Sequence, residues 1–307
     1  MNQNYIDTVR LLLAIAPAVF ESGRFAMKGG TALNLFVQEM PRLSVDIDLV
    51  FIDHRPDREA ALQVIASELA AVQATLALKG YRAHLPADAR GDDVKLVVGN
   101  GAAQVKVEVN VVFRGTALPA ERRSLVGSGQ SLFTTDLAVP VLATAELYGS
   151  KLVAAMDRQH PRDIFDVMHM LHRFGWQPAF IDCFVVYLAG HNRPVHEVLF
   201  PKIRLLEPTF TNEFAGMTLD MVELGSLEQT QLRVLQELPQ QLTRAHRDFL
   251  LSLVRGDPDW ELMPMQHLRE LPAIQWKLMN LSKLKKNNPA SFAAQHHVLA
   301  QRLESLS

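Results

Sequence analysis

The chain reads as an α+β protein: a mixed strand-and-helix domain over residues 1–142, then an α-helical domain over 143–307. Three observations predict this. Short runs of alternating apolar and polar residues, bounded by Gly, Asp and Asn, recur between Phe25 and Phe113 with the two-residue period of strands. Segments 5–22 and 57–79 between and before them carry apolar residues at helical spacing. Beyond residue 143 the helical period continues to the C-terminus without a repeat or a low-complexity run.

In chain order, helix 5–22 sets Leu11, Leu12, Ile15 and Val19 on one face and stops at Ser22-Gly23. A strand over 25–28 leads into Gly29 and Gly30, a turn that opens a helix over 31–38; Pro41 then marks a loop before a strand over 44–52. Helix 57–79 buries Leu62, Ile65, Leu69 and Val72 and ends at Lys79-Gly80. Strands over 81–85, 94–98 and 104–113 form a meander with turns at 89–93 and 99–102, and 115–140 reads as irregular. Residues 144–170 make two helices parted near His160-Pro161, because proline blocks a helix interior. Further helices are expected over 176–190, 211–223, 226–254 with a break at Pro239, 259–269, 271–284 and 289–306.

With 307 residues and 48% apolar content the chain can bury a large core. A net charge of −2 supplies no global field toward nucleic acid or membrane, so a polynucleotide must be met by a local patch. The single cysteine, Cys183, lies in an apolar helical run; it excludes a disulfide framework and a zinc cluster and fits a reducing cytoplasm. No basic segment precedes the first apolar run and no window approaches 18 continuous apolar residues, so a cytoplasmic protein without a membrane span is expected. No P-loop pattern and no Ser/His/Asp or Cys/His arrangement stands out.

The chemistry concentrates in 27–51, MKGGTALNLFVQEMPRLSVDIDLVF. Side chains alternate on a strand, so Asp46 and Asp48 share a face opposite Val45, Ile47 and Leu49. Two adjacent carboxylates repel and cost desolvation unless a cation lies between them, and an all-oxygen pair suits a hard divalent ion, above all Mg²⁺. The glycines let backbone approach a ligand closely, and the N–H groups opening the next helix face an anion. A phosphate cradle followed by a metal pair is what a nucleoside triphosphate with Mg²⁺ requires.

Four further stretches carry candidates. In QVKVEVNVVF, valines line one face and Lys106, Glu108 and Asn110 the other, either as a solvated sheet face or, beside the aspartate strand, as a source of a further polar site group. Lys151 precedes Asp163 and Asp166, which share a face three residues apart and also suit a helix N-terminus for structural reasons alone. Arg114, Arg122 and Arg123 form a small basic cluster, either a solvated loop or a phosphate contact. In PAIQWKLMNLSKLKK, Trp276 and Leu278 are expected to pack while Lys277, Lys283, Lys285 and Lys286 form a basic rim, with Lys285 and Lys286 as candidates for RNA phosphates.

KGGTAL followed by R-x-S-x-D-x-D (Arg42, Ser44, Asp46, Asp48), then E-L-x-x-x-K-L-x-A and R-D-x-x-D, resembles the AbiEii/AbiGii group of MenT-like minimal nucleotidyltransferase toxins, relatives of DNA polymerase β by fold. The tail resembles that of the family more weakly. The resemblance implies a polymerase β-like nucleotidyltransferase domain followed by a helical domain that contributes Lys151 and Asp166 to a cleft. It implies Gly29, Gly30, Thr31, Arg42, Ser44 and Lys151 as nucleotide-binding residues. It implies Asp46, Asp48, Lys151 and Asp166 as catalytic, with Asp46, Asp48 and Glu108 as metal ligands and Asn110 as the register alternative to Glu108. Arg162 and Asp163 look like a buried pair. Two Mg²⁺ ions with the NTP, or Mn²⁺ in their place, are implied as cofactors. A cognate antitoxin and a tRNA 3′ end are implied as partners. A protein hydroxyl as acceptor, or a catalytically silent module on the same fold, stays open from the residues.

Overall fold

The computed structural model describes residues 3–85 and 93–306 and divides into two compact units. The expected turn at 89–93 lies almost wholly outside the described residues.

The first unit holds residues 1–144 together with Met217–Asp220. Its elements are α1 (Gln3–Val19), β1 (Phe25–Lys28), α2 (Gly29–Phe36), β2 (Ile47–Phe51), α3 (Arg58–Leu78), β3 (Arg82–His84), β4 (Asp93–Gly99), β5 (Gln104–Asn110), β6 (Glu121–Ser124), α4 (Gly127–Phe133) and β7 (Ala138–Val141). The strands form one mixed seven-stranded sheet in the order β3-β4-β5-β2-β1-β7-β6. β1 runs antiparallel to β2 and parallel to β7, and β2 runs parallel to β5. The central strands are the apolar ones. Phe25, Ala26 and Met27 of β1 and Ile47, Leu49, Val50 and Phe51 of β2 are buried, because a strand in mid-sheet is covered on both faces.

Helix α3 is long and apolar enough by length and composition to cross a membrane. Its buried positions are Ala61, Ile65, Leu69, Val72 and Leu76, a helical stripe on an element that packs against α1, β3 and β4. Asp57 caps it, accepting from the Ala60 N–H at 2.8 Å.

Three expectations are corrected here. The stretch 115–140 is ordered: β6, α4 and β7 complete one side of the sheet. It was illegible because β6 is four mostly charged residues and β7 contains Pro140, which suppress the alternation that marks strands. Strand β2 starts at Ile47 rather than 44, which puts Asp46 just outside the ladder and exposed. Helix α2 begins at Gly29, two residues earlier than expected. The segment 217–220 also returns to the first unit: the Leu43 N–H donates to the Met217 carbonyl at 2.7 Å and the Leu219 N–H to the Pro41 carbonyl at 3.0 Å.

The second unit, Ala145–Gly216 with Met221–Ser307, is helical. It contains α5 (Thr144–Asp157), α6 (Pro161–Phe174), α7 (Pro178–Ala189), α8 (Val195–Leu199), α9 (Glu207–Glu213), α10 (Leu224–Glu237), α11 (Arg244–Val254), α12 (Pro272–Asn287) and α13 (Pro289–Glu304). Gly149 lets α7 approach α5 closely, since a Cβ there would lie 2.5 Å from the Cβ of Cys183, which is fully buried as expected. In place of helices over 211–223 and 259–269 there are α9, ending at Glu213, and two short 3₁₀ turns.

Candidate active site

Four register partners on β1, β2, β5 and β4 form a row on one face of the sheet. Lys28 lies opposite Asp48, Asp48 opposite Glu108, and Glu108 opposite Lys95. The order across the strands is cation, acid, acid, cation. Asp48 and Glu108 are neighbours on adjacent strands although 60 positions separate their residue numbers. The outer pair is closed, with Lys95 Nζ 3.2 Å from Glu108 Oε1 and both side chains about a third exposed (40% and 31%). Two lysines therefore offset the repulsion that two adjacent acids would otherwise feel.

The glycine turn closes over this row. Gly29 has a φ of +76°, and a Cβ there would lie 2.2 Å from Oδ2 of Asp48, so both the backbone conformation and the approach of the carboxylate require glycine. A Cβ on Gly30 would meet Arg42 Nη2 at 2.5 Å and Ser44 Oγ at 3.0 Å. Thr31 Oγ1 and Ser44 Oγ lie 2.9 Å apart in a mutual hydrogen bond. Asn34, fully buried, ties the two strips of backbone together: its Nδ2 donates to the Gly30 carbonyl at 2.8 Å and its Oδ1 accepts from the Arg42 N–H at 3.2 Å. Arg42 is buried and its Nη1 donates to the Leu43 carbonyl at 2.9 Å.

Gly29, Gly30, Thr31, Arg42, Ser44, Asp48 and Glu108 thus form one cradle in the first unit, with Asp46 exposed at its edge. Lys28, Lys95 and Asn34 belong to it and were not singled out from sequence. Lys28 and Asn34 stand inside the quoted motif, but what marks them is strand register and a bond across the Pro41 loop. Asn110, the register alternative to Glu108, caps the turn after β5 instead, its Oδ1 accepting from the N–H groups of Val112 at 3.1 Å and Phe113 at 2.8 Å.

The donor chemistry fits a hard divalent cation at Asp48 and Glu108, beside the glycine turn that closes over Asp48. Among the described residues no group of three His, Cys, Asp or Glu side chains is gathered at metal-ligand spacing.

In the second unit, Lys151 is buried, with Nζ 2.8 Å from Asp163 Oδ1 and 3.0 Å from Asp166 Oδ2. Arg158 grips Asp163 through both Nε and Nη2. Burial pushes the Asp163 carboxyl up, but Lys151 and Arg158 together outweigh it and hold the group well below the usual carboxylate range. Arg162 is exposed, so the expected Arg162–Asp163 buried pair is corrected: the guanidinium on Asp163 comes from Arg158, whose residue closes the last turn of α5.

Three of the residues expected in basic patches, Arg114, Arg123 and Lys277, are engaged within the protein. Arg114 is buried and bonds the Val111 carbonyl at 2.6 Å, and Arg123 pairs with Glu121 at 2.6 Å, so neither is a free phosphate contact. In α12 the expected packing is inverted: Trp276 is half exposed while Lys277 is buried, its Nζ donating to the Arg193 carbonyl at 2.6 Å. Lys285 lies over the Phe292 ring at 5.6 Å.

Residues 10–280 match the family described as "Nucleotidyl transferase AbiEii toxin, Type IV TA system". The chain belongs to the AbiEii family. It is thus a nucleotidyltransferase toxin of the toxin–antitoxin class, and the KGG, R-x-S-x-D-x-D and K…R-D-x-x-D blocks lie inside the matched span. A search of curated protein sequences returned no significant match. Among solved structures the AbiEii chain is similar to MenT4, a nucleotidyltransferase toxin from Mycobacterium tuberculosis H37Rv, with 18% identity and a TM-score of 0.59 over 90% of this chain and 93% of that one. At that identity the likeness is one of fold.

Proposed function

We propose that this AbiEii protein transfers a nucleoside monophosphate from an NTP to a tRNA 3′ end, releasing pyrophosphate, in the cytoplasm and under the control of a cognate antitoxin. The observation that carries the reading is the glycine turn closed over Asp48 with Glu108 as its strand neighbour. It sets anion-binding backbone beside paired hard-oxygen donors in a fold whose family transfers nucleotides.

In this reading Asp46, Asp48 and Glu108 hold Mg²⁺, and Lys95 gives up Glu108 when they do. Bound there, the ion would supply charge neutralisation on the triphosphate and acidify the acceptor hydroxyl. The backbone of Gly29 and Gly30 and the Thr31 and Ser44 hydroxyls bind phosphate oxygens. Arg42, lying against Gly30 and bonded to the Leu43 carbonyl, fixes the shape of that cradle. Lys151 enters from the family motif as the triphosphate contact, and Asp166, 3.0 Å from its Nζ, as the group that orients it.

Incubating the protein with each α-labelled NTP, Mg²⁺ and total tRNA tests this. Label is expected at the tRNA 3′ end from at least one NTP, and none with Asp48→Ala. Equal labelling by wild type and Asp48→Ala, or label on protein alone, overturns it.

A further inference from the structure

The second unit contains a cavity of about 400 Å³ at the turn between α8 and α9. Arg193, Lys202, Arg204 and Arg302 line it against one carboxylate, Glu197. Arg193 is occupied, bonded to both Asp157 and Glu197. Lys202, Arg204 and Arg302 are exposed and form no ion pair among the described residues. Three unneutralised cations around one cavity repel each other and attract a polyanion.

The backbone that presents two of them is pinned from below. Gln159, only 3% exposed, donates through Nε2 to the Lys202 carbonyl at 2.8 Å and accepts at Oε1 from the Arg204 N–H at 3.0 Å. Gln231, also buried, donates to Gln159 Oε1 at 2.7 Å and to the Arg204 carbonyl at 2.9 Å. Gln159 holds this clamp at a φ of +51°, a conformation that costs a non-glycine residue about 1 kcal/mol. An irregular segment needs no such support merely to cross a surface, where water satisfies its backbone. The clamp keeps Lys202 and Arg204 at a set spacing.

The walls are also suited to bases. The Arg302 guanidinium lies 5.9 Å from the Phe200 ring centroid, and Ile203 is 57% exposed beside it. Spaced cations interleaved with an aromatic and an exposed apolar side chain suit a sugar-phosphate backbone carrying unpaired bases better than a compact anion.

We propose that this pocket docks the RNA acceptor: Lys202, Arg204 and Arg302 each meet a backbone phosphate while Phe200 and Ile203 contact a base. The proposal rests on RNA being the acceptor. Arg158, next to Gln159 in the chain, bonds Asp163, so the clamp and the Lys151 cluster share the α5–α6 junction. The backbone that presents Lys202 and Arg204 is thereby braced by the same short stretch that supports the motif lysine.

Binding of total tRNA to the full chain, without nucleotide, across a salt series tests it by fluorescence anisotropy. The variant Lys202→Ala/Arg204→Ala/Arg302→Ala is expected to bind at least about tenfold more weakly at low salt and to lose roughly 2–3 units of the log–log salt slope, with melting temperature and NTP binding unchanged. Lys202→Arg/Arg204→Lys/Arg302→Lys should keep the slope. Unchanged tRNA affinity and slope in the alanine variant overturns the proposal. So does lost NTP binding with tRNA affinity retained, which would make the pocket a nucleotide site. The labelling assay separates the two readings: a wild type that labels only protein removes RNA as acceptor and this pocket's ligand with it. A wild type that labels tRNA, beside an alanine variant that binds it equally well, removes only the pocket.

Discussion

The two charge clusters of this AbiEii toxin solve the same electrostatic problem in opposite ways. In the sheet, Asp48 and Glu108 stand side by side between two lysines at the half-exposed end of a strand row, and the Lys95–Glu108 pair can exchange with solvent. In the helical unit, Lys151 and Asp163 are almost wholly out of water and every strong charge has a partner within 3.0 Å. Exposed pairs are worth ~0–1 kcal/mol and can be given up for a ligand. Buried ones are costly to break, so a closed cluster holds its members in place. The difference teaches that acidic residues in two quoted motifs of one chain serve different ends: exchangeable charge in the first, a fixed lysine in the second.

That contrast is sharpest in Asp48→Ala. Transfer should fall on the order of 10³-fold or more, while chemical denaturation shows stability unchanged within about 1 kcal/mol, because charges in a partly exposed row contribute little either way. Loss of stability comparable to that in the buried cluster would break the comparison.

Asp163→Ala should do the reverse to stability, costing ~3–5 kcal/mol in urea titrations, since Lys151 and Arg158 lose a buried counter-charge. The folded Asp163 carboxyl titrates below its unfolded value, so its contribution is present above the ordinary aspartate pKa and is lost as pH falls through the lower folded one. Wild type and variant are therefore expected to converge under strongly acidic conditions; a gap independent of pH would deny the ion pair its role.

Gly29→Ala comes next. It forces a side chain into the φ +76° region and against Asp48, at a cost of about 2 kcal/mol with a matching loss of transfer. Added to Asp48→Ala it should cost less stability than alone, because the steric part has gone; strict additivity would mean that the carboxylate does not fill that space.

Lys277 supplies the smallest test, as a buried lysine without the two acids that Lys151 enjoys. Burial lowers its pKa to about 8, partly opposed by Glu197. The folded state then binds fewer protons than the unfolded chain between pH 8 and the ordinary lysine value, so wild-type stability should rise with pH across that window. Lys277→Met should remove the rise and stabilise the protein at neutral pH by ~1–2 kcal/mol. A variant that keeps the same pH slope would assign the effect elsewhere.

Much of the architecture was legible because it is local. The periodicity of 57–79, the Pro161 break and the Gly-Gly turn follow from spacing and backbone stereochemistry, and each reappears within a residue or two. The 115–140 stretch was not legible, since β6 and β7 are strands only by virtue of a neighbour: charged residues and Pro140 hide the alternation. Lys277 was misplaced for a related reason, as helical period alone does not say which stripe meets another helix, and here Trp276 faces out.

What the sequence by itself determined is the inventory: glycines that admit a positive φ, carboxylates of the right hardness, a motif lysine with two acids one turn apart, and the family these blocks belong to. Those depend on residue chemistry and short-range geometry. Only the tertiary structure decided the pairings: Glu108 rather than Asn110 beside Asp48, Arg158 rather than Arg162 on Asp163, and two buried glutamines under Lys202 and Arg204. Each joins groups that local pattern cannot rank, because register and helix rotation are set by burying the whole apolar surface at once.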